Sequence, residues 1–361
     1  MDRVHPAAPQ LADLIPYDPK YIPAEMMMSA NENPRDLSDE LRKKVKRAVK
    51  KVQFNRYPDP LANELREMIA DANGLDRDWV LIGNGGDELL FNTALAWGGP
   101  GRRFLNLPPT FSVYSANAKL TNTTVVDIPR LSENNFVIDE EAVLERVSDT
   151  QEPIDYTIIA TPNNPTGELV SQDFLDKLLQ ATDALVMADE AYFEFSHATA
   201  RPMLESNENL VILRTFSKAF SLAGVRLGYI LANPNVIREY MKVRQPYSVD
   251  AVSQAIGKVI FSNRSQFEPG IEQIMSERER VMVGLKTIPT VKAYPSDSNW
   301  ILFKVDEPKE AWDYLYSKGI LIRDLSSSPY LEGCLRVTIG LPEQNTAFLA
   351  ALRDFVMRKR D

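Results

Sequence analysis

Residues 210–228, LVILRTFSKAFSLAGVRLG, place an apolar run before a lysine and begin a second apolar run after an arginine. Short apolar runs bounded by turn-forming residues are typical of buried strands. The stretch therefore predicts strands over 210–213 and 227–231, with Lys218 beyond the carboxyl end of the first. Because ligands of open α/β sheets bind at the carboxyl ends of the strands, Lys218 is the first candidate functional residue.

Similar apolar runs recur toward the N-terminus and alternate with helical patterns. The predicted strands cover 80–82, 124–128, 156–160 and 185–188, and the predicted helices cover 61–72, 88–97, 112–120, 172–181 and 235–243. Alternating strands and helices predict a mostly parallel sheet with helices on both faces. Ser38, followed by Asp39, Glu40 and then a lysine-rich run, predicts a further helix that Ser38 caps.

The pattern changes near residue 251. Long helical patterns and separate strands follow, which predicts a smaller α+β lobe; the helices cover 252–261, 265–287 and 343–358, and the strands 300–305, 320–322 and 335–339. We therefore expect an N-terminal arm with the first helix over 1–48 that packs with the small domain, a large domain over 49–250, and a small domain over 251–361.

The composition excludes several classes of function. The net charge is -9, which argues against nucleic-acid and anionic-membrane binders. Cys334 is the only cysteine, and His5 and His197 are the only histidines, so we expect no disulfide, no metal site and no Ser-His-Asp triad. The first thirty residues hold no continuous apolar segment of export length, and we expect a cytoplasmic protein.

Lys218 has chemically suggestive neighbours. Ser217 precedes it and Arg226 follows eight residues later, so donors for a phosphate lie near an amine able to form a Schiff base. The alternatives are a lysine general base in a phosphate-binding enzyme and an ordinary solvated lysine.

A carboxylate and a phenol follow the predicted strand at 185–188. Asp189 could hold the nitrogen of a pyridine cofactor protonated, which would make the ring an electron sink, and Tyr192 could donate to its phenolic oxygen. The alternative for Asp189 is a cap of the next turn.

Two turns complete the candidate site. Residues 160–167, ATPNNPTG, offer Asn164 as an amide donor, although the composition also fits an ordinary turn. Residues 83–88, GNGGDE, bring Gly85 and Gly86 to a predicted helix start, where backbone amides can approach a phosphate. Asp87 has the alternative role of capping that helix.

Together these segments resemble the fold-type I aminotransferases that use pyridoxal 5'-phosphate (PLP), most closely the histidinol-phosphate aminotransferase family (class II). The resemblance covers nearly the whole chain. Besides the segments above, it includes SANENP at 29–34, RYPDP at 56–60, PPTF at 108–111 and LRVTIG at 335–340. It implies a large domain with a mostly parallel seven-stranded sheet between helices, a smaller α+β domain, and a homodimer with shared active sites.

The resemblance also assigns roles to residues. Lys218 would carry PLP as an internal aldimine, Asp189 would pair with the pyridine nitrogen, and Asn164 and Tyr192 would hold the phenolic oxygen. Phe111 would stack on the ring, where many relatives have a tyrosine. The remaining cofactor contacts would come from Gly85, Gly86, Asp87, Thr215, Ser217 and Arg226, with Tyr57 reaching in from the neighbouring subunit.

Substrate recognition is implied for four residues: Tyr17, Asn33, Arg323 and Arg336. The family reaction converts L-histidinol phosphate and 2-oxoglutarate into imidazole acetol phosphate and L-glutamate in histidine biosynthesis. Surface ion pairs are the alternative for both arginines. The rival functions are an aromatic amino-acid aminotransferase, a threonine-phosphate decarboxylase and a PLP-binding protein without enzymatic activity.

Overall fold

The computed structural model describes residues 8–11, 14 and 22–359, so Tyr17 lies outside the described residues. The α-helices within these ranges are α1 (Asp39–Val49), α2 (Asn63–Asn73), α3 (Gly85–Trp97), α4 (Val113–Leu120), α5 (Glu140–Val147), α6 (Gln172–Ala181), α7 (Pro234–Val243), α8 (Ala251–Ser262), α9 (Glu268–Lys286), α10 (Pro308–Ser317) and α11 (Pro342–Arg358).

The strands fall into three sheets. In chain order they are β1 (Met26–Met27), β2 (Val80–Asn84), β3 (Arg103–Asn106), β4 (Thr124–Asp127), β5 (Tyr156–Ala160), β6 (Leu185–Asp189), β7 (Leu210–Thr215), β8 (Leu227–Ala232), β9 (Lys292–Ala293), β10 (Trp300–Lys304), β11 (Ile320–Leu321), β12 (Arg323–Asp324) and β13 (Cys334–Thr338).

Within residues 22–359, the large sheet has seven strands in the order β2-β8-β7-β6-β5-β3-β4. β8 runs opposite to the other six strands, so the predicted mostly parallel sheet is confirmed. Successive residues of its central strands enter two different cores, with Val186 and Ile212 in one and Met187 and Leu213 in the other. A sheet buried on both faces explains why these strands are apolar along their whole length.

The C-terminal part contains the antiparallel sheet β12-β13-β10-β9 and the helices α9, α10 and α11. The arm joins it through β1, in which Met26 pairs with Ile320 of β11. Helix α1 begins as predicted, because the Ser38 hydroxyl accepts a hydrogen bond from the backbone of Leu41 at 3.2 Å. The division at residues 48 and 250 stays a prediction.

Some predicted elements need correction. The strand predicted at 320–322 is β11 beside β1, which ends at Leu321, and a separate strand that was not predicted, β12 beside β13, begins at Arg323. The helix predicted from 265 starts at Glu268 after a 3-10 turn, because Pro269 in its first turn lacks an N–H donor. No helix in the described ranges has both the length and the apolar character that a membrane crossing requires.

Candidate active site

A cleft of about 760 Å³ lies at the carboxyl ends of β5, β6 and β7, and residues of β12 and β13 line it from the other sheet. This is the edge at which the topology predicts a ligand. The predicted site residues that line the cleft are Gly86, Asp87, Phe111, Asn164, Asp189, Tyr192, Thr215, Ser217, Lys218, Arg226, Arg323 and Arg336.

Lys218 lies three residues beyond the end of β7 and is half-buried. Its Nζ donates to the carbonyl of Ala30 in the N-terminal segment at 3.1 Å and lies 5.6 Å from the centroid of the Tyr192 ring. The amine therefore lies in the cleft near Tyr192, one of the two residues predicted to donate a hydrogen bond to the phenolic oxygen of the cofactor.

The start of α3 and Arg226 form an anion cradle. The side chain of the N-cap residue Asn84 makes no capping hydrogen bond in the described part of the chain, so the first turn of α3 offers backbone amides to a ligand. Arg226 donates to Asp87 Oδ2 at 2.9 Å and to the Ser217 hydroxyl at 3.3 Å. Gly85 has φ +76°, and a Cβ there would lie 2.6 Å from Arg226 Nη2, so glycine is required for this arrangement.

Gly228 on β8 was not predicted as a site residue, yet it makes room for the start of α3 in this cradle. A Cβ at Gly228 would come within 2.7 Å of the backbone nitrogen of Gly86. The third glycine thus lets the start of α3 lie directly against the sheet. Because the cradle combines helix amides with a guanidinium, it fits a dianionic phosphate.

Asp189 ends β6 and is only 7% exposed. Its Oδ2 accepts a hydrogen bond from the hydroxyl of Tyr114 at 2.5 Å, and its Oδ1 accepts one from the backbone N–H of Ala191 at 3.0 Å. Burial raises the pKa of Asp189 to about 6, while both hydrogen bonds act to lower it. A buried carboxylate with a pKa of about 6 is suited to pair with a protonated ring nitrogen.

Asn31 is a second residue that was not predicted. Its side-chain amide donates to the Tyr192 hydroxyl at 3.2 Å, and its own carbonyl accepts from Asn299 Nδ2 at 3.0 Å. Asn31 has φ +54°, a left-handed conformation that asparagine tolerates better than most residues. Its place in SANENP, a segment of the family resemblance, was the available signal.

Arg336 is 7% exposed and connects the two sides of the cleft. Its guanidinium donates to Asn164 Oδ1 and, at 2.8 Å, to the carbonyl of Ser29. Since arginine has only donors, the Asn164 oxygen must face Arg336, which leaves the Asn164 amide nitrogen as the donor for a ligand. Arg323 lies directly opposite Arg336 in the β12–β13 pair, so both side chains lie on one face.

Three of the predicted residues that the structure describes do not line the cleft. Asn33 donates to the Ala219 carbonyl at 2.9 Å, and Gly85 lies beneath Arg226. Tyr57 is 82% exposed and stacks on Tyr247 with ring centroids 4.5 Å apart. Tyr17 lies outside the described residues, and the predicted roles of all four stay predictions.

A buried acidic residue, Glu194, follows Tyr192 by two positions in the chain. Glu194 is buried, and its Oε2 makes no hydrogen bond in the described part of the chain. Burial raises the pKa of Glu194 to about 8, although the nearby Arg214 lowers it. Arg214 is itself paired with the buried Glu190 at 2.9 Å.

We expect Glu194→Gln to stabilise the fold in alkaline solution. Between its ordinary value and about 8, folded Glu194 keeps a proton that the unfolded chain has lost, so wild-type stability falls as the pH rises. The variant lacks this cost, on the order of a few kcal/mol above pH 8. Chemical denaturation at about pH 5 and pH 9 measures the free energy of unfolding of the variant and the wild type. Glu190→Gln, which breaks an ion pair, is the destabilised control. An equal gain in stability for Glu194→Gln at both pH values would contradict the assignment.

Residues 23–352 match the family model described as aminotransferase class I and II. The chain belongs to this family. The resemblance to the histidinol-phosphate aminotransferases is also confirmed by curated relatives with that name over nearly the whole chain.

Two of these relatives come from Carboxydothermus hydrogenoformans and Ruminiclostridium cellulolyticum. The first is 38% identical over 346 residues, 96% of this chain and 97% of its own, and the second is 36% identical over 345 residues, 95% and 96%. The solved histidinol-phosphate aminotransferase from Sinorhizobium meliloti, in complex with PLP, has a TM-score of 0.86 and 22% identity, covering all of this chain and 99% of that one. At 22% identity, this structural similarity shows that the two chains share a fold.

Proposed function

We propose that the chain is a PLP-dependent aminotransferase that converts L-histidinol phosphate and 2-oxoglutarate into imidazole acetol phosphate and L-glutamate. One observation carries this proposal. Lys218 and Asp189 line a single cleft together with Arg226 of the anion cradle and the arginine pair Arg323 and Arg336. The curated relatives that carry the name of this activity support the choice of substrates.

The residues of the cleft fit PLP. The cradle at the start of α3, with Ser217 and Arg226, would hold the phosphate, and Asp189 would hold the ring nitrogen. Asn164 and Tyr192 would donate to the phenolic oxygen. When bound, PLP supplies an electron sink for the charge that develops at the substrate carbon.

The side chains of the cleft have separate proposed roles around that carbon. Lys218 Nζ, which lies in the cleft, would remove the proton from the carbon that bears the amino group. Arg336 binds and orients an α-carboxylate through its planar fork, and Arg323 beside it adds a second cation for a phosphate. The same pair of arginines thus serves a phosphorylated amine and a dicarboxylic acid in turn.

The proposal is tested by single-turnover half-reactions followed by absorbance of the cofactor. L-histidinol phosphate, phenylalanine, tyrosine and threonine phosphate are offered in separate reactions. We expect histidinol phosphate to react with the highest kcat/KM. A preference for phenylalanine would support the aromatic aminotransferase, and release of carbon dioxide from threonine phosphate would support the decarboxylase.

We further propose that the enzyme is a homodimer in which Tyr57 completes the partner's site. Tyr57 and Phe54, three positions apart in the chain, are 82% and 79% exposed on a single copy. Apolar surface of this kind is normally covered in the functional assembly. Tyr57 lies outside the cleft of its own chain, which is consistent with a contact across the dimer.

Mixed dimers test this shared site. Mixing Lys218→Ala chains with inactive Tyr57→Ala chains should restore part of the activity, because one hybrid site regains both intact residues. In the matched control, Lys218→Ala chains are mixed with Asp189→Asn chains, and no recovery is expected because both residues serve one cleft. If verified Tyr57 heterodimers stay inactive, Tyr57 acts within its own subunit or only packs.

A further inference from the structure

Tyr114 lines the cleft and touches a proposed cofactor residue from a different element. We infer that Tyr114 is a positioning residue that fixes the Asp189 carboxylate and keeps it ionised for the ring nitrogen of PLP. The inference rests on the proposed function, and nothing in the sequence pattern had assigned a role to Tyr114.

The geometry orients the carboxylate completely. Tyr114, in the first turn of α4, is 1% exposed and donates its hydroxyl proton to Asp189 Oδ2 at 2.5 Å. The backbone of Ala191 donates to the other oxygen at 3.0 Å. With one donor on each oxygen, the plane of the carboxylate is fixed, and the cleft receives a preoriented acceptor.

Tyr114 also connects this carboxylate to the proposed ring-stacking residue. Phe111 packs edge-on against Tyr114, with ring centroids 5.6 Å apart and an angle of 90° between the planes. The backbone N–H of Tyr114 donates to the Phe111 carbonyl at 3.1 Å. The segment 111–114 would therefore contact the face of the cofactor ring through Phe111 and position the partner of its nitrogen through Tyr114.

The charges around Asp189 explain why this donor matters. Burial and the neighbouring carboxylates Asp87 and Glu190 raise the pKa of Asp189, whereas the Tyr114 hydroxyl and the Ala191 N–H lower it. Burial, then Asp189, raises the pKa of Tyr114 well above its usual value, so its hydroxyl stays protonated and donates throughout the neutral range. Arg130 and Tyr192 also lie near Tyr114, and the further charged or titratable groups of the described residues that line the cleft are Lys119, Asp127, Lys218, Arg226, Arg323, Tyr330 and Arg336.

A packing role alone is the competing explanation. Tyr114 belongs to a core cluster that also contains Tyr240, whose hydroxyl is hydrogen-bonded to that of Thr93 at 2.7 Å. Tyrosine to phenylalanine preserves the ring at either position and removes one buried hydrogen bond. Tyr240→Phe is therefore a matched control for the loss of a hydroxyl in the same core.

The test measures the dissociation constant of PLP for the apo-protein between about pH 6 and pH 8.5. Ionised Asp189 favours the protonated ring, so affinity falls as the pH falls through the pKa of Asp189. Without the Tyr114 donor this fall moves to higher pH. At about pH 7 we expect Tyr114→Phe to raise the dissociation constant roughly ten-fold relative to wild type, with a smaller effect at about pH 8.5.

Further variants distinguish the outcomes. Tyr240→Phe should leave the pH dependence unchanged, and Tyr114→Phe should have little effect on PLP affinity in an Asp189→Asn background. Tyr114→Met, which also lacks a donor and fills the space flexibly, replaces Tyr114→Phe if the latter does not fold. Wild-type protein that does not bind PLP overturns the proposed function; wild-type binding with an unshifted pH dependence in the Tyr114 variant overturns only this inference.

Discussion

Lys218→Ala is expected to abolish transamination. Lys218 is the cleft lysine that follows β7, and its amine lies near the Tyr192 ring and the Ala30 carbonyl. The substitution removes both the covalent attachment point and the proposed base at the substrate carbon. Proton transfer alone contributes on the order of 10²- to 10⁴-fold to a rate, so kcat should fall at least that far.

Lys119 provides the matched control, because it also lines the cleft but is exposed on α4. Lys119→Ala should keep most of the activity. Borohydride reduction followed by peptide mapping should find the cofactor on the peptide that contains Lys218, and noncovalent PLP binding should persist in Lys218→Ala. Attachment to Lys119 or to any other lysine would refute the assignment of the whole site.

The large sheet was largely predictable from sequence because its strands are buried on both faces. The predicted strand over 156–160 coincides with β5, and those at 185–188 and 210–213 fall within β6 and β7. Strand β3 was not predicted, since Phe104 and Leu105 are its only apolar residues and lie between Arg103 and Asn106. Its place in the sheet depends on pairing with β4 and β5, which sequence periodicity does not encode.

Some residues of the candidate site could likewise be predicted from the sequence, and others could not. Lys218, Asp189 and Asn164 follow apolar strands, so their common edge of the sheet could be predicted from the order of the elements. Tyr114 lies 75 residues from Asp189, and Asn31 lies 161 residues from Tyr192. Their hydrogen bonds arise only once the elements pack, and a tyrosine in a helix or an asparagine in a loop has many other uses.

The two arginines of the small sheet should differ in what their loss does. Arg336→Ala removes the donors that hold Asn164 Oδ1 and the Ser29 carbonyl, so a proposed cofactor contact and the carboxylate site are damaged together. Both half-reactions should therefore slow. Arg336→Lys keeps the charge but not the fork, and we expect it to recover only part of the loss.

Arg323→Ala should instead discriminate between substrates. A dianionic phosphate can engage both arginines of the β12–β13 pair, whereas an α-carboxylate occupies mainly the fork of Arg336. Since a hydrogen bond to a charged group contributes about 1.5–3 kcal/mol, kcat/KM for histidinol phosphate should fall roughly ten-fold to a hundred-fold, and less for glutamate. The measurement is the ratio of the two half-reaction constants in wild type and variant. Equal losses for phosphorylated and aromatic amines would mean that Arg323 does not select the phosphate, and the aromatic aminotransferase would then be the better description.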